Sequence, residues 1–144
     1  MNARTFALVI GVAFLGAGGL GFVPGAVHPP HVGSPDLRID TGYGYLLGLF
    51  PVNVLHNLVH LLIGIAGVIA SRAHSVAIRF SRGLAVFYGA LAIMGLIPAL
   101  GTTFGLIPIF GNDVWLHALT AAAAAYFGWV QHSTPGRLPT PHHA

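Results

Sequence analysis

The chain has 144 residues, of which 55% are hydrophobic and only 6% charged, with a mean hydropathy of +0.79. Soluble domains carry about a quarter charged residues, so the composition excludes an ordinary water-soluble fold and points to one embedded in a lipid bilayer. Six Arg stand against three Asp, with no Lys, Glu or Cys. The lack of Cys excludes disulfides and thiolate chemistry, and the scattered Arg give no basic face for nucleic acid.

Four apolar stretches follow one another, at about 6–23, 45–70, 84–100 and 114–130. Each reaches the roughly 17–25 residues that a helix needs to span a bilayer, and only helices or closed barrels can do so. None shows the alternation of a barrel strand. The expected fold is therefore an all-α membrane protein, a four-transmembrane-helix bundle forming one domain over 1–132. The first stretch reads as a retained helix: it exceeds the roughly 7–15 apolar residues of a signal peptide, and Gly25-Ala26-Val27 is a poor cleavage site.

Residues 24–44 form an external loop in which Pro24, Pro29, Pro30 and Pro35 exclude a regular helix. Tyr43 and Tyr45 at its end suit the headgroup region. Arg4 precedes the first span, Arg72, Arg79 and Arg82 fill the link between the second and third, and Arg137 follows the fourth; only Arg38 lies on the other side. An excess of Arg marks the cytoplasmic face. The reading is thus a multi-pass membrane protein with both termini cytoplasmic. The end of the chain, 133–144, has three Pro and a terminal His142-His143 and reads as a disordered cytoplasmic tail.

A duplication is suggested by two short motifs. Gly48-Leu49-Phe50-Pro51 precedes Val54-Leu55-His56, and Gly105-Leu106-Ile107-Pro108 precedes Trp115-Leu116-His117. The halves would be two tandem helical hairpins related by an axis along the membrane normal.

Polar residues interrupt the second and fourth spans. Asn53, His56, Asn57 and His60 recur at helical steps of three and four, continuing as Gly64 and Gly67; Asp113, His117 and Thr120 continue as Ala124 and Gly128. Residues so spaced share one helix face. Polar and small residues glue helices together in lipid, so these stripes are expected to face each other. His56, His60, Asp113 and His117 then converge at one depth in the outer leaflet. Asn53, Asn57 and Asn112 can support them from a second layer.

That cluster admits several readings. Interhelical hydrogen bonding is one, with Asp113 and Asn112 capping the fourth helix. Three imidazoles and a carboxylate also suit a divalent metal such as zinc. An axial contact to a tetrapyrrole and a proton relay are further ones. His56-Asn57-Leu58-Val59-His60 has the His spacing of a zincin helix but Asn57 where that motif needs Glu. With no Ser-His-Asp or Cys-His set in its place, hydrolysis is disfavoured.

The run Asn53 to Gly64, with Gly105-Leu106-Ile107-Pro108 and Gly111-Asn112-Asp113-Val114-Trp115-Leu116-His117, resembles a bacterial membrane-protein family catalogued as domain of unknown function 4383. The resemblance runs from the first helix to Gly128, the Pro-rich loop and tail aside. It implies a small four-helix membrane protein and assigns no activity, cofactor or partner. Two classes of function follow: a non-enzymatic structural or accessory membrane component, alone, as a homo-oligomer or in a larger complex; or a metal-binding membrane protein, even a membrane-embedded metalloenzyme. A transport subunit is a weaker third.

Overall fold

The structure, a computed structural model, describes residues 1–131; the expected tail, with Arg137 and His142-His143, lies outside them. The described residues fold as four helices: α1 Ala3–Leu20, α2 Val54–Ala70, α3 His74–Leu96 and α4 Asn112–Ala125, the last running on as a π-helical segment, Tyr126–Val130. The Asn2 side chain caps α1 by accepting from the Thr5 amide at 2.9 Å.

The chain is not purely α-helical. Between α1 and α2 lies a three-stranded antiparallel sheet, β1 Val27–His28, β2 Gly44–Leu46 and β3 Phe50–Val52, in the order β1-β2-β3. It takes the first part of the apolar stretch that reads as the second span, so α2 starts only at Val54. Pro51 explains why: it cannot donate to a helical ladder, and it sits on the edge strand β3. Between β2 and β3 the turn puts Leu47 and Gly48 at φ 53 and 73, a left-handed backbone that Gly48 adopts freely and Leu47 at some cost.

The other large difference is at α3. It begins ten residues before the apolar stretch at 84 and takes Arg79 and Arg82 into its first turns. At 23 residues it is about 35 Å long. Arg82 uses its length to donate from Nε to the Gly128 carbonyl at 2.8 Å, and its guanidinium lies 5.6 Å from the centre of the Trp129 ring. Arg4 does the same in the other half, donating to the Ser71 carbonyl at 2.8 Å. Both cations satisfy carbonyls at a helix C-terminal end, where the helix dipole favours positive charge.

Helices pair in sequence order, α1 with α2 and α3 with α4. This corrects the expectation that the small residues of α2 face α4. A side chain on Gly64 would meet the Leu15 amide at 2.8 Å and the Gly11 carbonyl at 2.9 Å, and one on Gly67 the Ala7 carbonyl at 2.9 Å. The partner of that stripe is therefore α1, whose Ala7 and Gly11 sit one turn apart. The small positions of α4 serve a separate core: Ala124 packs among Phe6, Phe14, Leu84, Ala85, Tyr88 and Phe127. Phe6 stacks on Phe127 at 4.6 Å and Phe14 on Tyr88 at 5.3 Å, tying α1 to the second hairpin.

Two of the helices, α1 and α3, are long and apolar enough to cross a membrane, while α2 is apolar but shorter, at 17 residues. The backbone contact at Gly64 leaves no room for larger residues. Gly64→Leu should lower stability by about 2–3 kcal/mol or more, since it must separate two backbones. Gly16→Leu, at a position where an added Cβ meets nothing within 4 Å, should leave the thermal unfolding midpoint in detergent nearly unchanged.

Candidate metal centre between the two hairpins

The site forms where α2 and α4 begin. Asn53, fully buried, is the N-cap of α2; its Oδ1 accepts from the His56 amide at 2.9 Å. Its Nδ2 donates to the carbonyls of Ile39 at 2.8 Å and Leu106 at 2.7 Å. One amide side chain thus fixes the start of α2 to both loops that cover this end of the bundle. His56 follows in the first helical turn, and its Nδ1 lies 3.2 Å from the Pro51 carbonyl. A carbonyl only accepts, so Nδ1 carries the proton and Nε2 is free to face inward. The Pro108 carbonyl lies against the same ring.

Asp113 and His117 come from the first turns of α4 and, four residues apart, share one face. Gly111, not Asn112 or Asp113, is the N-cap residue, and no side chain caps this helix. Asp113 instead turns its Oδ2 toward both imidazoles, 3.3 Å from His117 Nε2 and 3.7 Å from His56 Nε2. All three residues are at most 3% exposed, and their three facing ligand atoms lie within 4.8 Å of one another.

The hydrogen bonding is incomplete. Asp113 Oδ2 and both nitrogens of His117 are buried without a hydrogen-bond partner. Such groups are rare in folded proteins and costly. His56 Nε2 offers a lone pair to a carboxylate oxygen, and two acceptors facing each other need a cation or a proton between them. With metal–ligand bonds of about 2.0–2.1 Å, two ligands of a tetrahedral ion sit about 3.3 Å apart. The separations of 3.3 and 3.7 Å from Asp113 Oδ2 approach that edge, and with all three ligand atoms within 4.8 Å of one another the group could hold a small divalent ion.

His60 stands one turn beyond His56, its ring centre 4.4 Å away and tilted, with Phe14 at 5.1 Å on another side. It does not join the three-residue group; it lines a chamber of about 60 Å³ shared with His56, His117, Tyr88, Thr103 and Ile109. Its Nδ1 is also buried without a partner. The supporting asparagines do other work than expected. Asn57 donates to the Gly21 carbonyl at 3.0 Å and holds the end of α1, while Asn112 donates to the Leu49 carbonyl at 3.2 Å near the surface. Neither orients an imidazole. Sequence reasoning missed Tyr88, whose ring stands edge-on to His117 at 5.0 Å. Its placement seven residues after the buried Ser81 on α3 is the signal that could have found it.

The comparisons with known proteins give a family and no activity. A family model described as Domain of unknown function (DUF4383) matches residues 4–130, and the chain belongs to that family. The match runs through the Pro-rich loop as well as the helices. No curated protein and no solved structure matches the chain.

Removing the Asn53 side chain orphans two loop carbonyls and the His56 amide together. Asn53→Ala should therefore cost about 2–4 kcal/mol, read as a lower thermal midpoint. Asn112→Ala, which removes one exposed bond, should shift it by no more than about 0.5 kcal/mol.

Proposed function

We propose that this chain is a small multi-pass membrane protein that holds a divalent transition metal between its two helical hairpins, as a structural or accessory metal centre. The observation that carries the metal is the set of three buried facing ligand atoms, two of them on Asp113 and His117 without hydrogen bonds. His56, Asp113 and His117 would hold the ion, which as a Lewis acid would supply charge to a dry chamber. Asn57 stands where a zincin helix carries its Glu general base, and this supports a non-enzymatic role.

Membrane placement is supported by the surface. Large apolar side chains stand exposed on every helix, among them Val12 at 56%, Leu62 at 67%, Val86 at 67% and Leu119 at 69%. Water would not tolerate so continuous an apolar girdle. Four spans in a bacterial inner membrane, with the arginine-bearing ends inside, satisfy it. A second reading keeps the same fold and replaces the ion by a proton shared between Asp113 and one imidazole, a polar network that only joins the hairpins. The 3.3 Å separation of Asp113 and His117 favours it.

Elemental mass spectrometry of the purified protein should find about one divalent ion per chain, absent from His56→Ala and His117→Ala. His117→Gln, closer in volume, should lose the metal with less damage to folding. Loading should also fall at acid pH, because neutral imidazole is the ligand and its protonation competes. A metal-free native protein whose thermal midpoint falls with the same substitutions would establish the proton-shared network instead. For the topology, reporter fusions after Ala70 should read as cytoplasmic and after Ser34 as external. The opposite pattern would overturn the orientation.

A further inference from the structure

The two hairpins are closely packed within themselves but leave a gap between α2 and α3. There an apolar groove of about 430 Å³ is lined by Val59, Leu62, Ile63, Phe80, Gly83, Leu84 and Phe87. Val59 and Phe87 also line the histidine chamber, so the groove ends at the chamber's wall. Gly83 is one of its lining residues, and a Cβ added there would meet nothing within 4 Å. The groove is apolar along its length. Beyond the shared Val59 and Phe87, inside the chamber, lies His60, a buried imidazole with an unpartnered Nδ1, together with His56 and His117.

We infer that this groove and chamber bind one long-chain fatty acid, the hydrocarbon lying between α2 and α3 and the carboxyl head in the chamber beside His60. The inference rests on the membrane placement and the metal site proposed above. Two observations and the charge of the proposed ion select this occupant. A chamber of about 60 Å³ admits a head of only a few atoms, which excludes a phospholipid headgroup or an aromatic ring. The chamber lies at the end of α2 read as external and the groove extends from it toward the inner ends. A single-chain lipid of the outer leaflet would therefore enter sideways, past Phe87, without turning over. Finally, a divalent ion held by Asp113 and two neutral imidazoles leaves one net positive charge in a dry site. A second carboxylate cancels it, and isolated buried charge is strongly disfavoured.

The test is native mass spectrometry of the full-length protein released from detergent, with oleic acid, oleyl alcohol or octadecene added. Metal content is measured on the same samples. The wild type should retain one oleic acid per chain. Octadecene, which lacks the head, should be held about tenfold more weakly, the loss of one good hydrogen bond. Gly83→Phe should abolish retention by filling the groove while keeping the metal, with Gly83→Leu as the milder variant. Gly16→Phe, equally unobstructed but on α1, should leave retention unchanged. His60→Asn should weaken it about tenfold. If octadecene binds as well as oleic acid, or if Gly83→Phe retains oleic acid at the wild-type level, the groove holds ordinary bilayer lipid and the inference is wrong. Equal retention of oleyl alcohol and oleic acid would show that the head is recognised by hydrogen bonding alone and overturn the choice of a carboxylate. Oleic acid retained by a metal-free wild type would refute the metal site and leave the lipid site standing. Metal without oleic acid would do the reverse.

Discussion

The structure turns on one buried carboxylate. Asp113 is 1% exposed, and its charge has to be answered within the protein. Two imidazoles face it, one from its own helix and one from α2. That second imidazole is what joins α2 to α4, beside the aromatic stacking that ties α1 to the second hairpin. Its position is set by Asn53, which decides where α2 starts, and by the Pro51 carbonyl, which decides which nitrogen points inward. The sheet, the caps and the loops at this end are in effect the framework for one ring.

A carboxylate and one histidine would make a satisfied ion pair if the proton were shared. Adding a second histidine to that pair increases the desolvation cost and gives no further charge to balance it. His117 has no hydrogen bond on either nitrogen, which a network selected only for packing would be expected to correct. The stability of the site is therefore easiest to explain when something with more than one coordination position lies between these atoms.

How much of this was legible in the sequence depended on the kind of signal. The steps His56 to His60 and Asp113 to His117 are helical periodicity, and periodicity survives folding; three of the four predicted residues meet face to face and the fourth lines the adjoining chamber. The partner of a helix face is not periodic information. Gly64 and Gly67 announce a close approach, but the matching Ala7 and Gly11 are on α1, and small residues on α4 looked equally suitable. Apolar composition likewise cannot separate a buried strand from a span, so Gly44–Leu46 and Phe50–Val52 read as helix until Pro51 is weighed. The asparagines were recognised as supporting residues, but their partners are backbone carbonyls from distant loops, and no local pattern encodes those.

The two Gly-Leu-x-Pro motifs are where local and global order meet. In each, the proline carbonyl lies just before a histidine-bearing helix, and Pro51 and Pro108 both come to rest against the same His56 ring. The opposite ends of the hairpins repeat a second device, an arginine of the first helix of each hairpin capping the last turn of its mate, Arg4 on Ser71 and Arg82 on Gly128. The halves are not equal, however. α4 begins about a turn earlier relative to its histidine than α2 does, and that extra turn is what supplies Asp113. A symmetric pair of hairpins would bring two histidines together across the axis with no charge between them. The asymmetry, a single added turn carrying one acid, converts a meeting of two similar helices into a site with a ligand set.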